Sequence, residues 1–270
     1  MVLKLVRTTT TDGQELQGLI SEADKMNDRI VIHIHGTWGN FYGNPFIDQF
    51  ITEYPKNGYS FLSGNTRGHD EGSISEKFED CKVDINQWIS FAESQGYKHF
   101  ILQGHSLGAL KTVYYDNDVN NPLVRKLILL SPFDSVAFYC SRNPQKREIL
   151  LSELSGLVLK SPNEIAPKDI WGMWMISNIT LYNMLREETV SDIFPFRKGD
   201  LQGSALSRIH KNIFAAIGGN DFAAFPDPSS EYLQLSKMKR VKSVLIPNAP
   251  HNFAGYEKSL MEHILEWLRE

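Results

Sequence analysis

Cysteine is nearly absent: the 270 residues include two, Cys81 and Cys140. Two thiols cannot form a metal cluster by themselves, and they read as free thiols in a reducing compartment rather than as a disulfide. Long apolar runs are missing as well, and no stretch approaches the roughly 20 residues that span a bilayer. The opening MVLKLVRTTTTDGQEL is too short and too polar for a signal peptide. Neither sign of charge dominates, with a formal net charge of -4. That mild acidity would draw neither nucleic acid nor an anionic membrane. Internal repeats and low-complexity tracts are also lacking. What remains is the expectation of a soluble, cytoplasmic globular chain, long enough to bury a sizeable core in one large α/β domain.

Strands and helices alternate along most of that length. Leu3 to Thr8 and Glu15 to Ile20 alternate in polarity around Thr11-Asp12-Gly13, which predicts a hairpin. Arg29 to Gly36, Tyr59 to Leu62, Phe100 to Gly104, Val124 to Leu130, Lys211 to Ile217 and Lys242 to Ile246 read as further strands, the first of them buried on both faces. Helical periodicity is expected from Pro45 to Tyr54, from Phe78 to Gln95 (closed by Gly96), from just after the Phe100 to Gly104 strand to about Tyr115, from Ser230 to Lys237 and from Glu257 to Leu268. Such alternation implies a mainly parallel sheet with helices on both faces. Ligands then bind at the carboxyl ends of the strands. From Phe133 to about Arg208 the alternation lapses into helical segments, Lys146 to Leu159 and Lys168 to Leu185. The expected division is therefore a core of residues 1–132 and 209–270 interrupted by a helical cap at 133–208.

The stretch Phe100-Ile101-Leu102-Gln103-Gly104-His105-Ser106-Leu107-Gly108 carries the strongest chemical signal. A buried strand runs into Gly-His-Ser-Leu-Gly and a helix follows at once, the strand–turn–helix setting of a G-x-S-x-G nucleophile elbow. A serine on so sharp a turn needs very small neighbours two positions away, which Gly104 and Gly108 supply. Free N–H groups at the helix start then face a developing oxyanion.

Two more strand-end loops should reach the same edge. Ile217-Gly218-Gly219-Asn220-Asp221 offers two glycines for a tight exit and a carboxylate. Asn248-Ala249-Pro250-His251-Asn252-Phe253 offers a histidine. Serine is a poor nucleophile at neutral pH unless a base stands within hydrogen-bond reach. Histidine serves as that base, and a carboxylate fixes its tautomer. Ser106, Asp221 and His251 are the candidate triad, with Asp134 a rival acid just after the strand ending at Leu130. His35-Gly36-Thr37-Trp38-Gly39 ends an earlier strand at this edge; resemblance to folds that carry such an elbow implies that this loop supplies the second oxyanion donor, the N–H of Thr37 or alternatively Trp38, paired with that of Leu107. Asn65-Thr66-Arg67-Gly68-His69-Asp70 reads as structural, with Arg67 tying loops together.

His-Gly-Thr-Trp, Asn-Thr-Arg-Gly-His, Gly-His-Ser-Leu-Gly, Gly-Gly-Asn-Asp and the late Pro-His together resemble the α/β-hydrolase superfamily, from about Ile30 to the C-terminus outside the 133–208 segment. Gly36 to Pro45 and Leu130-Ser-Pro-Phe133 are faintly similar to a serine-esterase branch that includes fungal siderophore esterases. The chain order Ser, Asp, His is the one this resemblance implies.

The expected activity is hydrolysis of a small-molecule carboxylic ester through an acyl-serine, with no metal and no cofactor. Thioester or amide cleavage, acyl transfer, a cofactor-free lyase and a non-catalytic ligand receptor on the same scaffold are the alternatives. Trp38 and His105, beside the expected donor and nucleophile, and Trp171 and Trp174 in the cap are the candidate pocket residues. Between Ile170 and Leu185 apolar residues fall on nearly every side of a helix, which suits either a pocket wall or a helix buried between cap and core.

Overall fold

The architecture is that of a computed structural model, which describes residues 2–25, 27–141, 147–167 and 175–270. The hairpin forms as β1 (Leu3–Thr9) and β2 (Glu15–Ser21), antiparallel to each other, and β2 continues antiparallel onto β4 (Ser60–Gly64). From there the sheet is parallel: β4, β3 (Arg29–Ile34), β5 (His99–His105), β6 (Val124–Leu130), β7 (Asn212–Asn220) and β8 (Val241–Pro250). The eight strands lie in the order β1-β2-β4-β3-β5-β6-β7-β8.

Period-two alternation sorts the apolar side chains between the two faces. On one face Ile30, Ile32 and Ile34 of β3 and Leu127 and Leu129 of β6 pack beneath α2 (Cys81–Ser94), α3 (Leu107–Val119) and α7 (Pro228–Ser236). On the other, Val31, Ile128 and Leu130 meet α1 (Phe46–Lys56) and α8 (Glu257–Arg269). Helix α8 shows why: Leu260, Met261, Ile264, Trp267 and Leu268 recur at helical spacing and all are buried. Cys81 and Cys140 are both buried and free. No helix among the described residues is long and apolar enough to cross a membrane.

Between β6 and β7 the described helices are α4 (Ser135–Ser141), α5 (Arg147–Lys160) and α6 (Asn178–Met184). Arg197 ties this stretch to the end of β6 through Asp134, while Ser177 N–H donates to the Ile74 carbonyl at 2.7 Å and Thr180 Oγ1 to that of Glu76 at 3.1 Å. One expectation is corrected here. Within the described part of the helix predicted over Lys168 to Leu185, residues 175–177 are not helical and the helix is Asn178–Met184, because Ile165 and Ser177 form a β-bridge and Ser177 caps the helix by accepting from Thr180 N–H. Residues 168–174, including Trp171 and Trp174, lie outside the described residues. Ile176, Leu181, Met184 and Leu185 belong to the main core, so this end of the segment is core packing.

A second correction concerns Gly218 and Gly219. They do not make an exit turn; they lie inside β7, which is longer than predicted. A Cβ on Gly219 would come 2.8 Å from the main-chain nitrogen of Asn248, and one on Gly218 would run into the carbonyls of Ala249 and Pro250. Here glycine is required by the close approach of β8, whose extension brings Pro250 opposite Asn220.

Candidate active site

Strands β3, β5, β6, β7 and β8 end along one edge of the sheet, and the candidate residues follow those ends. Ser106 closes β5 with φ 56 and ψ -123, a conformation that a non-glycine residue holds only when its surroundings impose it. The glycines around it show how. A Cβ on Gly104 would strike the backbone of Gly108, one on Gly108 would strike the Ile34 carbonyl, and one on Gly36 would come 2.8 Å from Ser106 Cβ. Three chain segments thus pass within backbone distance of the serine, whose own N–H donates to the Leu130 carbonyl at 2.8 Å.

His251 follows Pro250 directly. Its Nδ1 lies 2.7 Å from Asp221 Oδ1, and Ala223 N–H donates to the same carboxyl oxygen at 2.8 Å. Burial raises the Asp221 pKa, but the hydrogen bond and charge of His251, with the Ala223 N–H, outweigh it, and the net shift is downward. An ionised carboxylate only accepts, so Nδ1 carries the proton and Nε2 is the nitrogen left to act as a base. The histidine ring lies between Phe222 and His105, with centroids at 4.9 and 5.0 Å.

Asp134 has other partners. It is fully buried, accepts from the N–H groups of Ala137 and Arg197 at 2.9 and 2.8 Å, and pairs with the Arg197 guanidinium at 2.8 Å. The structure brings Asp221, and not Asp134, to His251.

The alternative between Thr37 and Trp38 also has a geometric answer. Trp38 N–H donates to Ser73 Oγ at 2.8 Å, whereas among the described residues no hydrogen bond engages the N–H of Thr37 or of Leu107, the first residue of α3. Trp38 has φ 56 and lies off the cavity beside the serine. His105 does border that cavity, yet its Nε2–H is committed to the His251 carbonyl at 2.9 Å. Burial first, then the neighbouring His251, lowers its pKa to about 3.

The cavity holds about 320 Å³ and contains Thr37, Ser106 and His251. Its apolar wall is Phe133, Phe138, Tyr139 and Phe222. None of these four was among the candidates. Phe133 and Phe222 stand two or three residues past strand ends, a signal the sequence does offer, but Phe138 and Tyr139 arrive only through the direction of α4. A larger cleft of about 650 Å³ lies beside Asp118, Asp192, Lys198 and Arg208, and no histidine lines it. Among the described residues no group of three metal-ligating side chains converges.

No protein-family model and no curated protein sequence matches the chain. Solved structures do. Est1E from Butyrivibrio proteoclasticus with ferulic acid bound superposes with a TM-score of 0.70 at 18% identity, over 97% of both chains. The Pyrococcus furiosus esterase Pf2001 gives 0.65 at 18% identity over 99% of this chain and 90% of its own. A highly thermostable carboxyl esterase from Bacillus coagulans gives 0.72 at 12% identity over 100% and 98%. With the strand order above, these likenesses identify the α/β-hydrolase fold.

Proposed function

We propose that the protein is a serine hydrolase that cleaves a small-molecule carboxylic ester. The observation that carries this reading is the Asp221–His251 hydrogen bond at 2.7 Å, with His251 lining the cavity that also holds Ser106 on its strained turn. Such a bond leaves His251 Nε2 available to take the Ser106 proton as Oγ attacks the ester carbonyl carbon. The carbonyl oxygen, now negative, takes hydrogen bonds from the N–H groups of Thr37 and Leu107. When the tetrahedral adduct collapses, His251 returns the proton to the departing alcohol and Ser106 keeps the acyl group. Water then attacks the acyl-enzyme by the same proton route and releases the acid. Residues 133–208 act as a cap, lending Phe133, Phe138 and Tyr139 to the acyl site.

The aromatic wall and the cavity volume support a compact, apolar acyl group in preference to acetyl. That Est1E binds ferulic acid, an aromatic carboxylic acid, in the same fold supports an aromatic acyl group here. The deciding experiment is labelling with a fluorophosphonate probe followed by a p-nitrophenyl ester panel from acetyl to cinnamoyl. One probe per chain at Ser106 and turnover rising toward the larger acyl groups are expected. Absent turnover together with tight ligand binding would make the protein a receptor instead.

A further inference from the structure

Lys111 is fully buried in the second turn of α3, directly behind the nucleophile turn. A lysine is almost never buried without a partner. Its ammonium pairs with the carboxylate of Glu76, which is also buried, and donates to Thr66 Oγ1 at 3.3 Å. That carboxylate fills the space a Cβ on residue 68 would need, so Gly68 is a condition of the pair. Neither Lys111 nor Glu76 lines the cavity. Nor is stability a sufficient reason for them, since a buried ion pair is commonly matched or bettered by apolar residues of similar volume.

The donors lead back to the active site. Thr66 N–H donates to His35 Nε2 at 2.9 Å, and Thr66 Oγ1 lies 3.2 Å from the same nitrogen. A backbone N–H can only donate, so Nε2 is unprotonated and the ring proton sits on Nδ1. His35 Nδ1–H therefore donates to the Gly36 carbonyl at 2.9 Å, and Gly39 N–H adds a second bond to that oxygen at 3.1 Å. The Gly36 carbonyl and the Thr37 N–H belong to one trans peptide plane and point in opposite directions. Holding the oxygen aims the N–H, and hydrogen bonds that feed the carbonyl strengthen the N–H as a donor.

We propose that Lys111, held by Glu76, is a positioning residue that acts through Thr66 and His35 to fix the Gly36–Thr37 peptide as an oxyanion donor. The proposal rests on the serine-hydrolase reading. Burial, and next the charge of Lys111, hold the His35 pKa down at about 3 against the opposing effect of its bond to Gly36. The tautomer the chain of donors needs therefore persists through neutral pH.

The test uses two variants. Lys111→Met with Glu76→Met removes the pair without stranding a charge, and Thr66→Val removes only the hydroxyl link. Each should lower kcat about tenfold or more, the direction seen when an oxyanion donor is disturbed, with KM within about twofold. Inhibition by a trifluoromethyl ketone, which places an oxyanion at the donors, should weaken by the same factor. Long-range 1H–15N NMR should show His35 as the Nδ1–H tautomer from pH 5 to 9 in the native protein. Should the pair variant fail to fold, Thr66→Val decides alone. A cooperatively folded Thr66→Val protein with kcat within twofold of native overturns the proposal, and so does an Nε2–H tautomer of His35 in the native protein. Failure of the hydrolase reading looks different: the native protein turns over no ester and takes up no fluorophosphonate, while the NMR result still reports on the Gly36–Thr37 peptide.

Discussion

His105 donates its Nε2–H to the main-chain carbonyl of His251, 146 positions later in the chain, at 2.9 Å. Ser131 Oγ donates to the same carbonyl, also at 2.9 Å. The residue before the candidate nucleophile and the residue after β6 thus hold the backbone of the candidate base. The relative placement of Ser106 and His251 is set by direct hydrogen bonds rather than by loop packing alone.

Replacing Ser106 with alanine should abolish turnover by about 10³-fold or more and leave the melting temperature nearly unchanged, since a small side chain replaces a small one. Fluorophosphonate labelling followed by mass spectrometry checks the assignment. Undiminished labelling of the variant would move the nucleophile elsewhere.

Asp221→Asn and Asp134→Asn should separate activity from stability. The first removes the group that fixes the His251 tautomer and should lower kcat by about 10²- to 10⁴-fold. The second weakens a buried pair with Arg197 and should cost up to about 3 kcal/mol of stability while folded protein keeps near-native kcat. Denaturant melts and initial rates on both variants distinguish the two, and the opposite ranking would make Asp134 the triad acid.

Phe222 is 59% exposed yet packs at a tilt against His251 at 4.9 Å and Phe138 at 6.2 Å, both of which line the cavity with it. Phe222→Ala should therefore cost little stability. It should lower kcat/KM for aromatic acyl esters about three- to tenfold relative to acetate, the worth of a lost aromatic contact. Equal losses on all esters would show instead that Phe222 acts through His251.

Acid should destabilise the fold through three buried histidines. His33 lies well below its ordinary 6.5, and His35 and His105 are held at about 3, in each case with burial as the first cause. Below 6.5 the unfolded chain takes up protons that the folded chain refuses. Stability is thus full above 6.5 and falls as pH drops toward the folded values, by up to about 1.4 kcal/mol per pH unit for each histidine. Melting temperatures measured from pH 7.5 to 4.5 should decline, and a flat profile would refute the account.

Glu231 works in the opposite sense. Burial pushes its carboxyl well above the ordinary 4.5, against a hydrogen bond from Phe225 N–H at 3.1 Å. The unfolded chain ionises above 4.5 while the folded chain holds the proton, so folding is increasingly penalised as pH rises toward the folded value. Glu231→Gln keeps an acceptor and removes that penalty. Its melting temperature should exceed the native one at pH 8 and match it at pH 4, and a gain independent of pH would argue against this origin.

The elements legible in the sequence were those specified locally. Alternating Ile30, Val31 and Ile32 have to be divided between two apolar layers, and the stripe Leu260, Met261, Ile264, Trp267 and Leu268 has to face one. The elbow was legible for the same reason: Gly104, Ser106 and Gly108 satisfy the sterics of one turn within five residues. Other features depended on residues far apart in the chain. Asp134 and Asp221 both follow strand ends, and only the position of Arg197 shows that Asp134 is already committed. Gly218 and Gly219 look like a turn until β8 is seen to press against them. The aromatic cavity wall and the Lys111–Thr66–His35 chain join segments with no shared periodicity. Local sterics and burial period are written in neighbouring residues, so the sequence by itself determined most of the strands and helices and the tight turn at Ser106. Which carboxylate meets His251, the shape of the cavity and the hydrogen bonds behind the Gly36–Thr37 peptide were decided only in the tertiary structure, because each needs side chains that folding alone brings within hydrogen-bond or van der Waals reach.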